Sequence, residues 1–149
     1  MNKQYEMVRD FQLKFGQPVA DKPTVLSEDR RKERYEYMDE ELNEFLSADT
    51  VVDQADAMID LIYLATGTLV ELGVKPEKLF EIVHNANMSK LWPDGKVHTN
   101  PENGKIIKPP TFVRPETLLE AEINEQATFT EVDALGDSDR DAGGFGSAG

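Results

Sequence analysis

Between residues 39 and 60 the chain carries Asp39, Glu40, Glu41 and Glu44, then Asp53, Asp56 and Asp60. Glu41 and Glu44 are three apart, and Asp56 and Asp60 four apart, so on helices each pair stacks its carboxylates one turn apart along one flank. Like charges at that spacing repel by about 0.2–0.5 kcal/mol per pair, and burying them uncompensated costs far more. Hard divalent cations with oxygen ligands supply the compensation, and magnesium in particular keeps waters while bridging to phosphate oxygens. For Glu40, Glu41 and Glu44 by themselves a solvated acidic face is the commoner explanation. Asp56 and Asp60 weigh more, because Asp is a poor helix former and here interrupts an otherwise apolar stretch.

Positioning these groups requires two adjacent helices. Ser27 followed by Glu28 and Asp29 gives an N-cap and an acidic first turn, which predicts a helix from about Glu28 to Leu46 with Tyr35, Met38, Leu42 and Phe45 as its apolar stripe. After SADT, residues 51–72 are apolar around most of the circumference, the pattern of a central, largely buried helix, and Gly73 is its stop. A short connection sets the two helices antiparallel, so that both acidic sets can face one another.

A first helix is expected over 3–15, with Tyr5, Val8, Phe11 or Gln12, and Phe15 inward, ending at Gly16 and Pro18. A fourth restarts near Pro76 with Leu79, Phe80, Ile82 and Val83 as its apolar set. From Leu91 to Pro115 the chain is rich in Pro, Gly and Asn, which predicts a long loop with a hairpin around PENGK; a short helix is expected over 115–126. The reading is all-α: a four-helix-bundle-like domain over 1–126 with a long C-terminal loop, and a disordered acidic, Gly-rich tail over 127–149.

The net charge of −13 argues against nucleic acid or an anionic membrane as partner. Charge is nonetheless uneven. Residues 89–114 hold Lys90, Lys96, Lys105, Lys108 and Arg114 against Asp94 and Glu102, a locally basic loop that could hold a polyphosphate or simply be solvated. The chain has no cysteine, which removes disulfides and thiolate zinc sites. No apolar run resembles a signal peptide or a membrane span, so the expectation is a cytoplasmic protein.

The segments RYEYMDEELNEF, DAMIDLIYLATGTLVELGV and VHNANMSKLWPDGK, in this order and separation, resemble the MazG-like, phosphoribosyl-ATP-pyrophosphohydrolase-like branch of the all-α NTP pyrophosphatases over residues 8–115. The resemblance implies an E-E-x-x-E motif at Glu40, Glu41 and Glu44. The E-x-x-D motif of many members is altered, since Ala57 stands three residues before Asp60; Asp56, four before, gives the D-x-x-x-D form of a subgroup common among phage proteins. By the same resemblance Glu41, Glu44, Asp56 and Asp60 are metal ligands for two or three Mg2+ ions, with Mn2+ able to substitute, and Glu40 orients or deprotonates the attacking water. Asn87 and Lys90 match an N-x-x-K element that contacts phosphate or nucleotide; Lys105, Lys108 and Arg34 fit recurrent positions and are candidate phosphate contacts.

The implied activity is hydrolysis of a nucleoside triphosphate to the monophosphate and pyrophosphate, by a homodimer or homotetramer working in the cytoplasm, that of the host if the chain is phage-encoded. A purine deoxynucleotide such as dGTP is the favoured substrate; dUTP, dCTP and phosphoribosyl-ATP are the alternatives. From another class, the chain could be an acidic metal-binding helical module that meets a partner without catalysis. Trp92 reads as a packing anchor, Phe11 and Phe15 as core, and His84 and His98 as structural or solvent-facing.

Overall fold

The computed structural model describes residues 1–129, and among these the chain forms five helices and no strand: α1 (Asn2–Lys14), α2 (Glu28–Ser47), α3 (Val51–Leu72), α4 (Glu77–Met88) and α5 (116–129). The described chain divides into two compact units, one of residues 1–76 together with 126–129, the other of residues 77–125. No single described helix is long and apolar enough to cross a membrane. Helix α5 continues through 127–129, and the rest of the segment expected as a tail lies outside the described residues.

Local signals fix α2 and α3 closely. The Ser27 hydroxyl accepts from the Arg30 amide, and Thr50 accepts from the Asp53 amide, so each helix begins on a side-chain cap. Gly73 ends α3 in the left-handed conformation at φ 68°, and the Val74 amide turns back to the Leu69 carbonyl at 3.1 Å. The connection between α1 and α2 crosses this end: Ala20 and Thr24 donate to the carbonyls of Val70 and Leu72 at 3.2 and 2.8 Å. Orphan carbonyls of α3 are thereby satisfied by another segment. A Cβ on Gly73 would collide with the Lys22 carbonyl oxygen, so glycine is required twice over.

In the first unit α3 packs against both α1 and α2. Tyr5, Val8 and Val70 form the core, with Val19 and Leu69 against it. Such a core is small, and much of the interior is polar instead. Gln12, Arg34, Thr66 and Glu71 are all buried.

Three expectations about faces need correction. Tyr35, Leu42 and Phe45 are exposed, whereas α2 turns Arg30, Arg34, Met38 and Glu41 inward, so its buried face is largely charged. On α3 only the C-terminal half is well covered, while Val51, Val52, Ile59 and Ile62 remain exposed. Phe11 and Phe15 are exposed too, and the α1 position that goes inward is Gln12, whose Nε2 donates to the Pro18 carbonyl at 2.6 Å. Gly67 explains how polar groups come so close to α3. A Cβ there would overlap Gln12 Oε1 and lie 2.7 Å from Arg34 Nη2.

In the second unit the loop after α4 is tied by its own side chains. Trp92 Nε1 donates to the Ile107 carbonyl at 2.9 Å, and the His98 ring stacks on the indole at 4.3 Å. The hairpin around PENGK is a single antiparallel bridge, Thr99 to Ile106, flanked by Asn100 N–H to Lys105 O and Ile107 N–H to His98 O. Val113 N–H closes the loop onto Ser89 Oγ at 2.9 Å. Trp92 is thus the anchor expected of it.

Candidate functional site

Helices α2 and α3 run antiparallel, with Arg34 opposite Leu64 and Thr68 and Glu41 opposite Asp60. That register brings carboxylate oxygens of Glu41, Glu44 and Asp60 within 4.8 Å of one another. Glu41 is the most enclosed of the three. Its Oε2 is buried with no hydrogen-bond partner, and burial pushes its carboxyl above the usual range, an effect reinforced by a hydrogen bond with Glu44 and by the negative charges of Glu44, Asp60 and Asp56. A buried carboxylate oxygen without a donor is costly, and three convergent oxygens are the ligand chemistry of a hard divalent cation. The donor set therefore fits a magnesium or manganese ion.

Asp56 is exposed and outside that trio, though near enough to act on Glu41 through its charge. Glu40 is exposed and outside it as well. Asn87, Lys90, Lys105 and Lys108 belong to the second unit, where Lys90 Nζ donates to Asn87 Oδ1 at 2.9 Å and Lys108 Nζ lies 4.8 Å from the Phe112 ring centre. Lys105 is exposed, its backbone amide bonded to Asn103 Oδ1. His84 is exposed, and His98 Nε2 pairs with Asp94 Oδ2 at 2.9 Å.

Arg34 is buried, and most of its guanidinium is committed internally. Nε donates to Thr68 Oγ1 at 3.0 Å, Nη2 to the Leu64 carbonyl at 2.6 Å, and Nη1 meets Glu71 Oε2 at 3.2 Å. Burial lowers its pKa, partly offset by the charge of Glu71. Glu71 also takes Arg30 in a two-pronged pair, Nε at 2.6 Å and Nη2 at 3.1 Å, and these bonds hold Arg30 above its ordinary value. Glu71 itself has a fully buried side chain. Sequence reasoning missed it, although arginines at i and i+4 on α2 and a lone acid in the apolar stretch LVELGV were the available signal.

Beside Arg34 opens a cavity of about 380 Å³ with Phe11, Phe15, Tyr37, Tyr63 and Leu64 on its walls and Gln12 and Gln17 among its polar lining. Phe11 and Phe15 stack with ring centres 4.4 Å apart, and Tyr63 meets Phe11 edge-on at 5.7 Å.

The raised pKa of Glu41 has a consequence for stability. A carboxyl with a higher pKa folded than unfolded keeps its proton longer in the folded state, so metal-free stability falls as pH rises through the window that opens near the unfolded value of 4.5. Glu41→Gln lacks this penalty. Thermal melts in chelator should therefore show the variant gaining on the wild type as pH rises from 4.5, and a pH-independent difference would contradict it.

The sequence pattern of the phosphoribosyl-ATP pyrophosphohydrolase family matches residues 8–87, the stretch that contains both acidic helices. Among solved structures, the fold is similar to that of a protein of Exiguobacterium sp. 255-15 described as a candidate NTP pyrophosphohydrolase, at 31% identity and a TM-score of 0.50, over 83% of this chain and 95% of that one. No curated protein matches the chain. With more than half of its length matched by the family pattern, the chain belongs to the phosphoribosyl-ATP pyrophosphohydrolase family, within the MazG-like all-α superfamily of pyrophosphohydrolase enzymes.

Proposed function

We propose that the enzyme hydrolyses a nucleoside triphosphate to the monophosphate and pyrophosphate with Mg2+, or Mn2+ in its place, and that a purine deoxynucleotide, dGTP first, is its substrate. The observation that carries this reading is the convergence of Glu41, Glu44 and Asp60 around a glutamate whose Oε2 is buried without a donor. Glu41, Glu44 and Asp60 would hold the ions, with Asp56 extending the set along α3. Bound divalent ions supply neutralisation of the phosphate oxygens and a more acidic water.

The chain's own groups do the rest. Glu40, next to the ligands yet outside the trio, accepts the proton of the attacking water as its oxygen bonds to phosphorus and the pyrophosphate oxygen departs. The resemblance is the ground for proposing Asn87, Lys90, Lys105 and Lys108 as donors to phosphate oxygens. Arg34 keeps two N–H groups beyond those bonded to Thr68, Leu64 and Glu71, and these are what it offers a substrate.

A homodimer or homotetramer is part of the proposal. The exposed Leu46, Val51, Val52, Ile59 and Ile62 on α2 and α3 favour it, because apolar surface of that extent is normally covered. A panel of dGTP, dATP, dCTP, dUTP and phosphoribosyl-ATP, assayed for pyrophosphate release with and without Mg2+, tests the activity. Metal-dependent release, fastest with dGTP, is the expected result. Release from phosphoribosyl-ATP alone would transfer the chain to that second reading, which the family match favours, and no release from any substrate would end both.

A further inference from the structure

We infer that Trp92, Asp94 and His98 form a pH-sensitive latch on the loop after α4: protonation of the His98 ring tightens its hold on the hairpin over 99–106, and loss of the proton loosens it. That hairpin carries Lys105, so the latch governs how firmly this cation is presented.

Geometry is the first argument. Ile107, on the returning arm, is gripped from both sides: its amide donates to the His98 carbonyl at 2.7 Å, and its carbonyl accepts from Trp92 Nε1 at 2.9 Å. The two side chains of that grip lie on one another, with ring centres 4.3 Å apart and planes within 16°. Between them in sequence the chain turns, the Trp92 amide donating to the Lys96 carbonyl at 3.1 Å. Asp94, in that turn, uses both carboxylate oxygens. Oδ1 accepts from the Lys96 amide at 2.8 Å, and Oδ2 pairs with His98 Nε2 at 2.9 Å. The imidazole therefore joins turn, indole and hairpin.

Charge is the second. Histidine is the side chain that changes charge between about pH 5 and 8. At 40% exposure the His98 side chain is open to protons from water. Protonated, it makes an ion pair with Asp94 and lays a cation on the indole face; neutral, it keeps only a hydrogen bond and a stack of uncharged rings. Around the ring, Lys96, Glu102 and Lys105 are exposed, Lys108 Nζ lies over the Phe112 ring, and Lys90 at the end of α4 is bonded to Asn87. Asp94 is thus the charged partner of His98 among the described residues. Its carboxyl is held below the usual range, by the His98 ring first and the Lys96 amide second. A carboxyl depressed in the folded state contributes above its ordinary 3.8 and loses that contribution only as pH falls below it. The latch is tight in mild acid and loosens as pH rises through the histidine range.

The chain has one tryptophan and two histidines, so the emission of the full chain reports on this contact. A protonated imidazole in contact with an indole quenches it, and emission should fall as pH is lowered from about 8 to 5. Amide exchange at Ile107, corrected for its intrinsic pH dependence, should be roughly two- to fivefold slower at the acid end, the effect of an exposed ion pair. His98→Gln keeps a donor for Asp94 and cannot take up a proton; both changes should vanish. His84→Gln, at the other histidine, should keep both. A flat wild-type profile, a transition that survives His98→Gln, or one lost in His84→Gln overturns the proposal. So does a fall in emission with unchanged exchange, which would mean protonation without a grip on the hairpin. The wild-type profile decides even where a variant fails to fold. Neither readout uses a nucleotide, so the latch and the hydrolase reading fail separately.

Discussion

Glu71→Ala is expected to destabilise the protein by about 3–5 kcal/mol, because it leaves the buried Arg34 and the partly buried Arg30 without their shared counter-ion. For a chain of this size that is a fall in melting temperature of roughly 10–20 °C. The magnitude follows from asymmetry. A complete buried ion network adds little net stability over an apolar packing of the same shape, but removing one member strands the others in a low-dielectric interior. Arg30 retains a pair with Glu33, so most of the loss falls on Arg34, whose side chain is only 7% exposed. Glu71→Gln keeps an acceptor and fills the space, and should lose less than half as much. Denaturant unfolding of both variants measures this; a loss below about 1 kcal/mol for the alanine would show the arginines finding water or another partner.

The second large effect is on turnover. Glu41→Gln and Asp60→Asn should each lower kcat by roughly 10³-fold, or about 4 kcal/mol of barrier, because each removes a charged oxygen from the set proposed to hold the ions. Groups that act as one unit are non-additive, so the double variant should be little worse than either single one. Asp53→Asn is the control. Asp53 lies on the same helix in the first turn of α3 and is not in the trio, so its replacement should leave kcat within about twofold. A loss for Asp53→Asn equal to that for Asp60→Asn would indicate a general effect of negative charge on α3.

The sequence was most legible where structure is decided locally. Ser27, the break before Val51 and Gly73 mark the limits of α2 and α3 because caps and left-handed turns depend on a few neighbouring residues. The convergence of Glu41, Glu44 and Asp60 was equally readable, since it needs only helical spacing and an antiparallel partner, but Asp56 stays outside it. Faces were harder. A rule that sends apolar residues inward assigned Tyr35, Leu42 and Phe45 to the inner side of α2, whereas three charged residues there, Arg30, Arg34 and Glu41, serve Glu71 and the carboxylate cluster. Burial of charge depends on partners that arrive from distant positions, and Glu71 is 41 residues from Arg30. Phe11 and Phe15 were misjudged for a related reason. Helical spacing shows that they share a face with Tyr5 and Val8, but not that the edge contact of Phe11 with Tyr63 leaves both rings open to solvent.

The proposed binding of one divalent ion by Glu41, Glu44 and Asp60 underlies the proposed activity. Crystals grown with Mn2+ and measured at the manganese absorption edge test it directly. The account predicts an anomalous peak bonded to oxygens of all three residues, at about the 2.0–2.2 Å expected of a small hard cation. A manganese-saturated crystal with no peak there, or with these side chains directed apart, would contradict it.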